Sequence, residues 1–176
     1  MNLTSKDLER AIIYASEKHK GQVRKGNSTP YILHPLRVMF ILMNIKASKN
    51  IYLLAISCAA HDLIEDTDTT IQDIANEFGY NVASIVEELT SDKEAIKEKG
   101  KEVYLLDKML KMSSYALCIK LCDRLDNVSD MKDMSDEFRE KTINQTNYIL
   151  NGLFERKLTN THKKIIKEIR KVISKY

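Results

Sequence analysis

The sequence predicts an all-α fold, and three observations carry that reading. Only five Gly and two Pro interrupt 176 residues. Apolar residues recur at three- and four-residue intervals along almost the whole chain, the spacing of one helix face. No segment sustains the two-residue alternation of a half-buried strand. No internal repeat or low-complexity linker divides the chain, so residues 1–176 are expected to form a single domain with its own core.

The elements follow in order. In "TSKDLERAIIYASEKHK", Thr4 and Asp7 have capping-box spacing, and Leu8, Ile12 and Ala15 continue one face. "GQVRKGNSTPYILHP" is a loop punctuated by Gly and Pro, after which Pro35 fits a first helical position and "LRVMFILMNI" continues the helix. Residues 51–65, "IYLLAISCAAHDLIE", are apolar on nearly all sides and read as one buried central helix. Thr70 and Asp73 repeat the capping box before "IQDIANEFG", with Gly79 as a stop, and "VASIVEELT" is a further helix. "EAIKEKGKEVYLLDKMLKM" reads as a charged, mobile segment running into a helix. "SSYALCIKLCDRLDNVSDM" is a helix entered through Ser113 or Ser114, and "SDEFREKTINQTNYILNGLFERK" is a long one. The last helix carries Ile165, Ile166, Ile169, Val172 and Ile173 on one stripe.

Composition narrows the function classes. Apolar residues make up 43% and charged residues 30%, an ordinary globular balance. No apolar run approaches the roughly 18 residues of a membrane span, so no membrane partner is expected. The net charge of +3 is too small to imply nucleic acid. The N-terminal "MNLTSKDLERA" lacks the apolar core of a secretory leader, and three Cys fit a reducing cytoplasm better than a disulfide framework. The expected location is therefore cytoplasmic.

Candidate chemistry concentrates in "CAAHDLIEDTDTT". On a continuous helix His61 and Glu65 are four residues apart, as are Asp62 and Asp66, forming an acidic strip at a helix C-terminus. Carboxylates there oppose the helix dipole and sit beside an apolar body, and a bound cation would offset both costs. The plain alternative is a helix that ends in solvent. In "CIKLCDRLDN", Lys120, Asp123 and Asn127 share a face away from the apolar stripe. Asp123 is either a ligand or one half of an ion pair with Lys120 or Arg124, while Cys118 and Cys122 lie on the core stripe. His34 precedes Pro35 at a helix entry and is either a ligand or a capping residue. Together His34, His61, Asp62 and Asp123 offer two imidazoles and two carboxylates. Such a mixed set suits one Mn²⁺ or Fe²⁺ with open positions for water and substrate.

Basic residues supply the anion side. "KHKGQVRKG" places Lys18, Lys20, Arg24 and Lys25 in one loop, which is either solvated surface or an anion site. Lys97, among Lys93, Lys99 and Lys101, is a candidate to reach an anionic group, and Arg139 and Lys141 are similar candidates. His19 reads as a loop anchor and His162 as surface.

"HKGQVRKGNSTPYILHPLRV", "AAHDLIEDTDTT" and "IKLCDRLDNVSDM" resemble, in order and spacing over roughly residues 5–150, the HD-type hydrolase domain of the RelA/SpoT homologues. The resemblance implies an all-helical HD-domain bundle and Mn²⁺-dependent removal of the 3′-pyrophosphate of the alarmone (p)ppGpp, giving GDP or GTP. It implies a guanine-nucleotide partner and a metal on His34, His61, Asp62 and Asp123. It gives Glu65 and Asp66 to the nucleophilic water, Arg24 and Lys25 to the nucleotide, and Asn127 to the substrate. Asp126 departs from the family pattern, which often has His or Tyr there. The length is similar to the short stand-alone hydrolases, with no room for the synthetase domain of the long forms. Oligomeric state is open. The alternatives are an NADPH phosphatase or another nucleotide phosphohydrolase of the HD class, and a catalytically silent nucleotide-binding module.

Overall fold

Thr4 starts the first helix as its spacing with Asp7 requires: its N–H and its hydroxyl both donate to the Asp7 carboxylate, at 2.9 and 2.8 Å. The structure, a computed structural model, describes residues 3–24 and 28–176. It divides into two compact units, Met1–Thr90 and Ser91–Tyr176. Among the described residues both are built from helices, with no strand beyond an isolated antiparallel bridge between Val23 and Pro30. The fold is all-α.

The first unit contains α1 (Ser5–Lys18), α2 (Leu33–Ile45), α3 (Ile51–Ala60), α4 (Leu63–Asp66), α5 (Ile71–Phe78) and α6 (Tyr80–Leu89). Helix α3 packs against α1, α2 and α6. Ala11 and Ala15 on α1 meet Ala59 and Ala60 in a core that also holds Ile56, Leu63, Ile74, Phe78, Val82 and Val86. Small side chains on both partners let the helix axes approach closely. Every residue of α3 from Leu54 to Ala60 is buried, which explains why its sequence is apolar all round. Thr70 caps α5 through the predicted box, accepting from Asp73 N–H at 3.2 Å. Gly79, at φ +88°, ends α5 and starts α6; that backbone conformation disfavours residues with a Cβ.

In this unit the starts and ends around His34 and His61 differ from the sequence expectation. Helix α2 starts at Leu33 rather than at Pro35; Pro35 still lies in the first turn, where its missing N–H leaves no bond unmade. The helix expected over 51–65 breaks after Ala60 and resumes at Leu63. Its apolar pattern runs on through Leu63 and Ile64, so periodicity cannot show the break. The cause is local: His61 N–H reaches back to Cys58 O at 3.5 Å, and its ring Nδ1 lies 2.8 Å from the same carbonyl. A side chain competing for that acceptor interrupts the helical ladder.

The second unit contains α7 (Lys93–Lys99), α8 (Lys101–Lys111), α9 (Ser114–Ser129), α10 (Asp136–Gly152), a 3₁₀ turn (Leu153–Glu155) and α11 (Asn160–Ile173). The segment expected to be mobile is helical. Asp92 Oδ1 caps α7 by accepting from Glu94 and Ala95 N–H at 2.9 and 3.1 Å, and Gly100 at φ +83° joins α7 to α8. Ser113, not Ser114, caps α9. Helix α10 stops at Gly152, short of the expected end. Arg156 just beyond the turn donates to the carbonyls of Met109, Leu110 and Met112 at 2.7–3.2 Å, satisfying the end of α8. Helix α11 packs on α9 and buries Ile165, Ile166, Ile169 and Ile173, each contributing about 2 kcal/mol of transfer free energy. His162, expected at the surface, is buried instead. Its ring accepts from Thr159 N–H at 3.3 Å through Nδ1, and Nε2 donates to Ser114 O at 2.9 Å. No described helix is long and apolar enough to cross a membrane.

Candidate functional site

The break after α3 places His61 and Asp62 at a turn rather than on a helix face. His61 is buried, and its Nε2 lies 3.1 Å from Asp62 Oδ1. His34, buried in the first turn of α2, points its Nε2 at Asp62 Oδ2, 3.5 Å away. The two imidazole rings meet edge-on, 5.2 Å between centroids. One carboxylate thus faces two imidazole nitrogens.

The donor chemistry of this group fits a divalent cation. A carbonyl only accepts, so the contact with Cys58 O fixes Nδ1 of His61 as the N–H nitrogen. The neutral ring then presents a lone pair on Nε2 to a carboxylate oxygen at 3.1 Å, and two acceptors at that distance repel. Positive charge between them, from a second proton or from a metal ion, removes the conflict. A nitrogen and oxygen donor set with a backbone-anchored imidazole is the usual construction of a hard or borderline metal site.

Tyr31 adds a group that the sequence reading missed. Its hydroxyl lies 2.7 Å from Asp62 Oδ2 and 2.8 Å from Asp66 Oδ2. Burial, reinforced by the two carboxylates, pushes its pKa well above the usual phenol range, so the hydroxyl remains an O–H donor. Nothing local in the sequence marks Tyr31, because both partners are more than thirty residues away. Asp66 is exposed at the end of α4, and Glu65 beside it is half-buried.

The loop before α2 is tied to this region at several points. Gln22 Nε2 donates to Asp66 O at 2.7 Å, and Gln22 Oε1 lies 2.7 Å from His19 Nδ1. His19 is buried and its ring leans on Tyr31, 4.8 Å between centroids. Lys18 and Asp68 pair at 2.8 Å, a hydrogen bond that raises the lysine pKa and lowers the aspartate's. Arg24 N–H donates to Thr29 O at 2.8 Å, and the guanidinium lies over the Tyr31 ring, 5.9 Å from its centroid. Lys25 lies outside the described residues.

In the second unit, Asp123 is buried on α9. Its Oδ2 pairs with Lys120 Nζ at 2.9 Å, and its Oδ1 accepts from Asn127 Nδ2 at 2.5 Å. Each carboxylate oxygen therefore has one donor, with lone pairs left over, and the ion pair considered from sequence is present. Asp126 is also buried on α9. Lys97 is exposed on α7 and paired with Glu94 at 2.7 Å. Arg139 folds onto Asp136 and the carbonyls of Lys132 and Met134. Lys141 instead lines a cleft of about 590 Å³ with Asn144, Gln145, Tyr148 and three glutamates.

Comparison with known proteins supplies a frame for these residues. A family model described as an HD domain matches residues 11–157. The chain is 39% identical over 125 residues to the guanosine-3′,5′-bis(diphosphate) 3′-pyrophosphohydrolase MESH1 of Xenopus tropicalis, covering 70% of this chain and 69% of that protein. It is 34% identical over 145 residues to a guanosine-3′,5′-bis(diphosphate) 3′-pyrophosphohydrolase of Aquifex aeolicus (strain VF5), where it spans 81% of this chain but only 20% of that protein. A solved structure described as a metazoan orthologue of SpoT that hydrolyses ppGpp and plays a role in starvation responses shares the fold. Its TM-score is 0.83 at 24% identity, covering 99% of this chain and 98% of that one.

Proposed function

Because the chain belongs to the HD-domain family and, within it, to the RelA/SpoT branch, we propose that it hydrolyses the 3′-pyrophosphate of ppGpp and pppGpp, giving GDP or GTP plus pyrophosphate. The observation that carries this reading is the Asp62 carboxylate facing both His34 and His61. The family match runs from residue 11 to 157 across both compact units, and we read the two units as one HD-type domain. The three cysteines are buried and form no disulfide, which fits a cytoplasmic location.

His34, His61, Asp62 and Asp123 are the proposed ligands, and Mn²⁺ is the proposed ion because two imidazoles with two carboxylates match its preference. When bound, such an ion supplies Lewis-acid chemistry, acidifying a water and drawing charge from a phosphoryl oxygen. The chain's own residues do the rest. Glu65 and Asp66 orient the water and accept its proton. The water oxygen bonds to the phosphorus carried on the ribose 3′-oxygen. The P–O3′ bond breaks, and the ribose oxygen leaves with the bonding pair and takes a proton. Arg24 and Lys25 hold the guanine nucleotide, Asn127 contacts the substrate, and Lys97 reaches the departing pyrophosphate. Lys120 and Asn127 hold the Asp123 carboxylate in one orientation, the support that ligating carboxylates need.

The test is a substrate panel. Metal-stripped protein is incubated with ppGpp, pppGpp and NADPH, with and without Mn²⁺, and the products are identified. The proposal requires pyrophosphate from the guanosine substrates only when metal is present. Orthophosphate from NADPH alone would replace it with a phosphatase activity, and tight nucleotide binding without turnover would replace it with a binding module.

A further inference from the structure

Tyr31 links the two carboxylates to which the proposed mechanism gives different work. Its hydroxyl lies within hydrogen-bond distance of both Asp62 Oδ2 and Asp66 Oδ2, at 2.7 and 2.8 Å. A phenol has one proton, so it serves one of them at a time. The side chain is already fixed before any ligand arrives. Its ring packs against His19 and His34, with centroids 4.8 and 5.8 Å away. Its N–H donates to Gln22 O at 2.9 Å, and Gln22 in turn holds the Asp66 carbonyl. A hydroxyl held this way donates without a further ordering cost.

We propose that Tyr31 is a positioning residue: its hydroxyl keeps the Asp62 carboxylate oriented for cation binding and braces the neighbouring Asp66 carboxylate that handles the water. The inference rests on the metal-dependent reading above. The hydroxyl sits against the same Asp62 oxygen that faces His34 Nε2 at 3.5 Å, so it fixes how that carboxylate meets a cation, the outer support that ligating carboxylates need. Asp66 Oδ2 lies 2.8 Å from the same hydroxyl and is braced by it while it handles the water. The hydroxyl acts through both carboxylates and touches no reacting atom.

Tyr31→Phe removes the O–H and leaves the ring against His19, His34 and Arg24. Metal-stripped wild type and variant are titrated with Mn²⁺, with free ion followed by electron paramagnetic resonance. Turnover of ppGpp is then measured at saturating Mn²⁺. We expect Mn²⁺ to bind the variant about tenfold more weakly, within the roughly 10- to 100-fold range of lost outer hydrogen bonds. We also expect kcat to stay at least about tenfold down at saturating metal, with KM within about threefold of wild type. In an Asp66→Asn background the same substitution is expected to cost no further kcat. Equal Mn²⁺ affinity in the two proteins overturns the proposal, and so does an additive loss in the Asp66→Asn background. If wild type binds Mn²⁺ but turns over no guanosine substrate, the functional reading fails, and the affinity comparison still decides the role of Tyr31.

Discussion

His61 and Asp62 are adjacent in sequence and face each other in space, with Nε2 3.1 Å from Oδ1. Side chains of neighbouring residues on a continuous helix diverge by about 100°. The turn after α3 brings this pair together, and the Cys58 carbonyl fixes which imidazole nitrogen looks at the carboxylate. The break in the helix is therefore what brings these two side chains together.

Asp62→Asn tests that arrangement. The amide keeps the size of the side chain and can donate to a neutral His61, so folding is expected to survive with an unchanged helical circular dichroism signal. Mn²⁺ affinity is expected to fall by more than about a hundredfold, beyond the usual loss for an outer-sphere partner. An affinity within a few-fold of wild type would remove Asp62 from the ligand set.

Asp123→Asn tests the ligand proposed from α9. Turnover is expected to be lost and Mn²⁺ binding weakened while the helical signal persists. The Lys120 ion pair also disappears, so thermal stability is measured alongside. A variant that keeps full activity would assign Asp123 to the ion pair with Lys120 alone.

Arg24→Ala is expected to raise KM for ppGpp about tenfold or more while kcat changes little, because a nucleotide-holding residue acts on binding. Its guanidinium rests over the Tyr31 ring, so a bound base would have to displace or share that contact. A pure kcat defect would point to an effect passed through Tyr31 rather than to substrate binding.

Acid should weaken the helix starts. Hydrogen bonds from Thr4 hold Asp7 below its ordinary pKa of 3.8, and those from Thr70 do the same for Asp73. Groups with depressed folded pKa values stabilise the native state above the unfolded value and lose that contribution as pH falls through the folded one. The urea midpoint is expected to drop below about pH 3.8 on this account, and Asp73→Ala should show a smaller acid-dependent drop. An unchanged acid slope in that variant would deny the cap this role.

Much of this was legible in the sequence, and the exceptions share a cause. The capping boxes at Thr4 and Thr70 and the Gly79 stop are local codes, and each appears where its spacing places it, whereas at α9 the sequence leaves Ser113 and Ser114 as equal candidates and only the fold selects Ser113. The break at His61 was not legible, because the apolar pattern continues across it while a side chain takes the Cys58 carbonyl. Tyr31 carries no local signal, because its partners come from a distant segment. His162 looked like surface because its partner, Ser114, is 48 positions away. Periodicity reports which face is buried, not which polar atoms a folded chain brings together.

Metal-dependent release of intact pyrophosphate from the 3′ position is the activity proposed for this chain. The most direct measurement follows ppGpp by ³¹P NMR in ¹⁸O-enriched water, first with metal-stripped protein and then after addition of Mn²⁺. No turnover is expected before the metal. After it, GDP and pyrophosphate should form together, with the ¹⁸O carried by the pyrophosphate. Orthophosphate as the first product, ¹⁸O on the nucleoside, or equal rates before and after Mn²⁺ would contradict it.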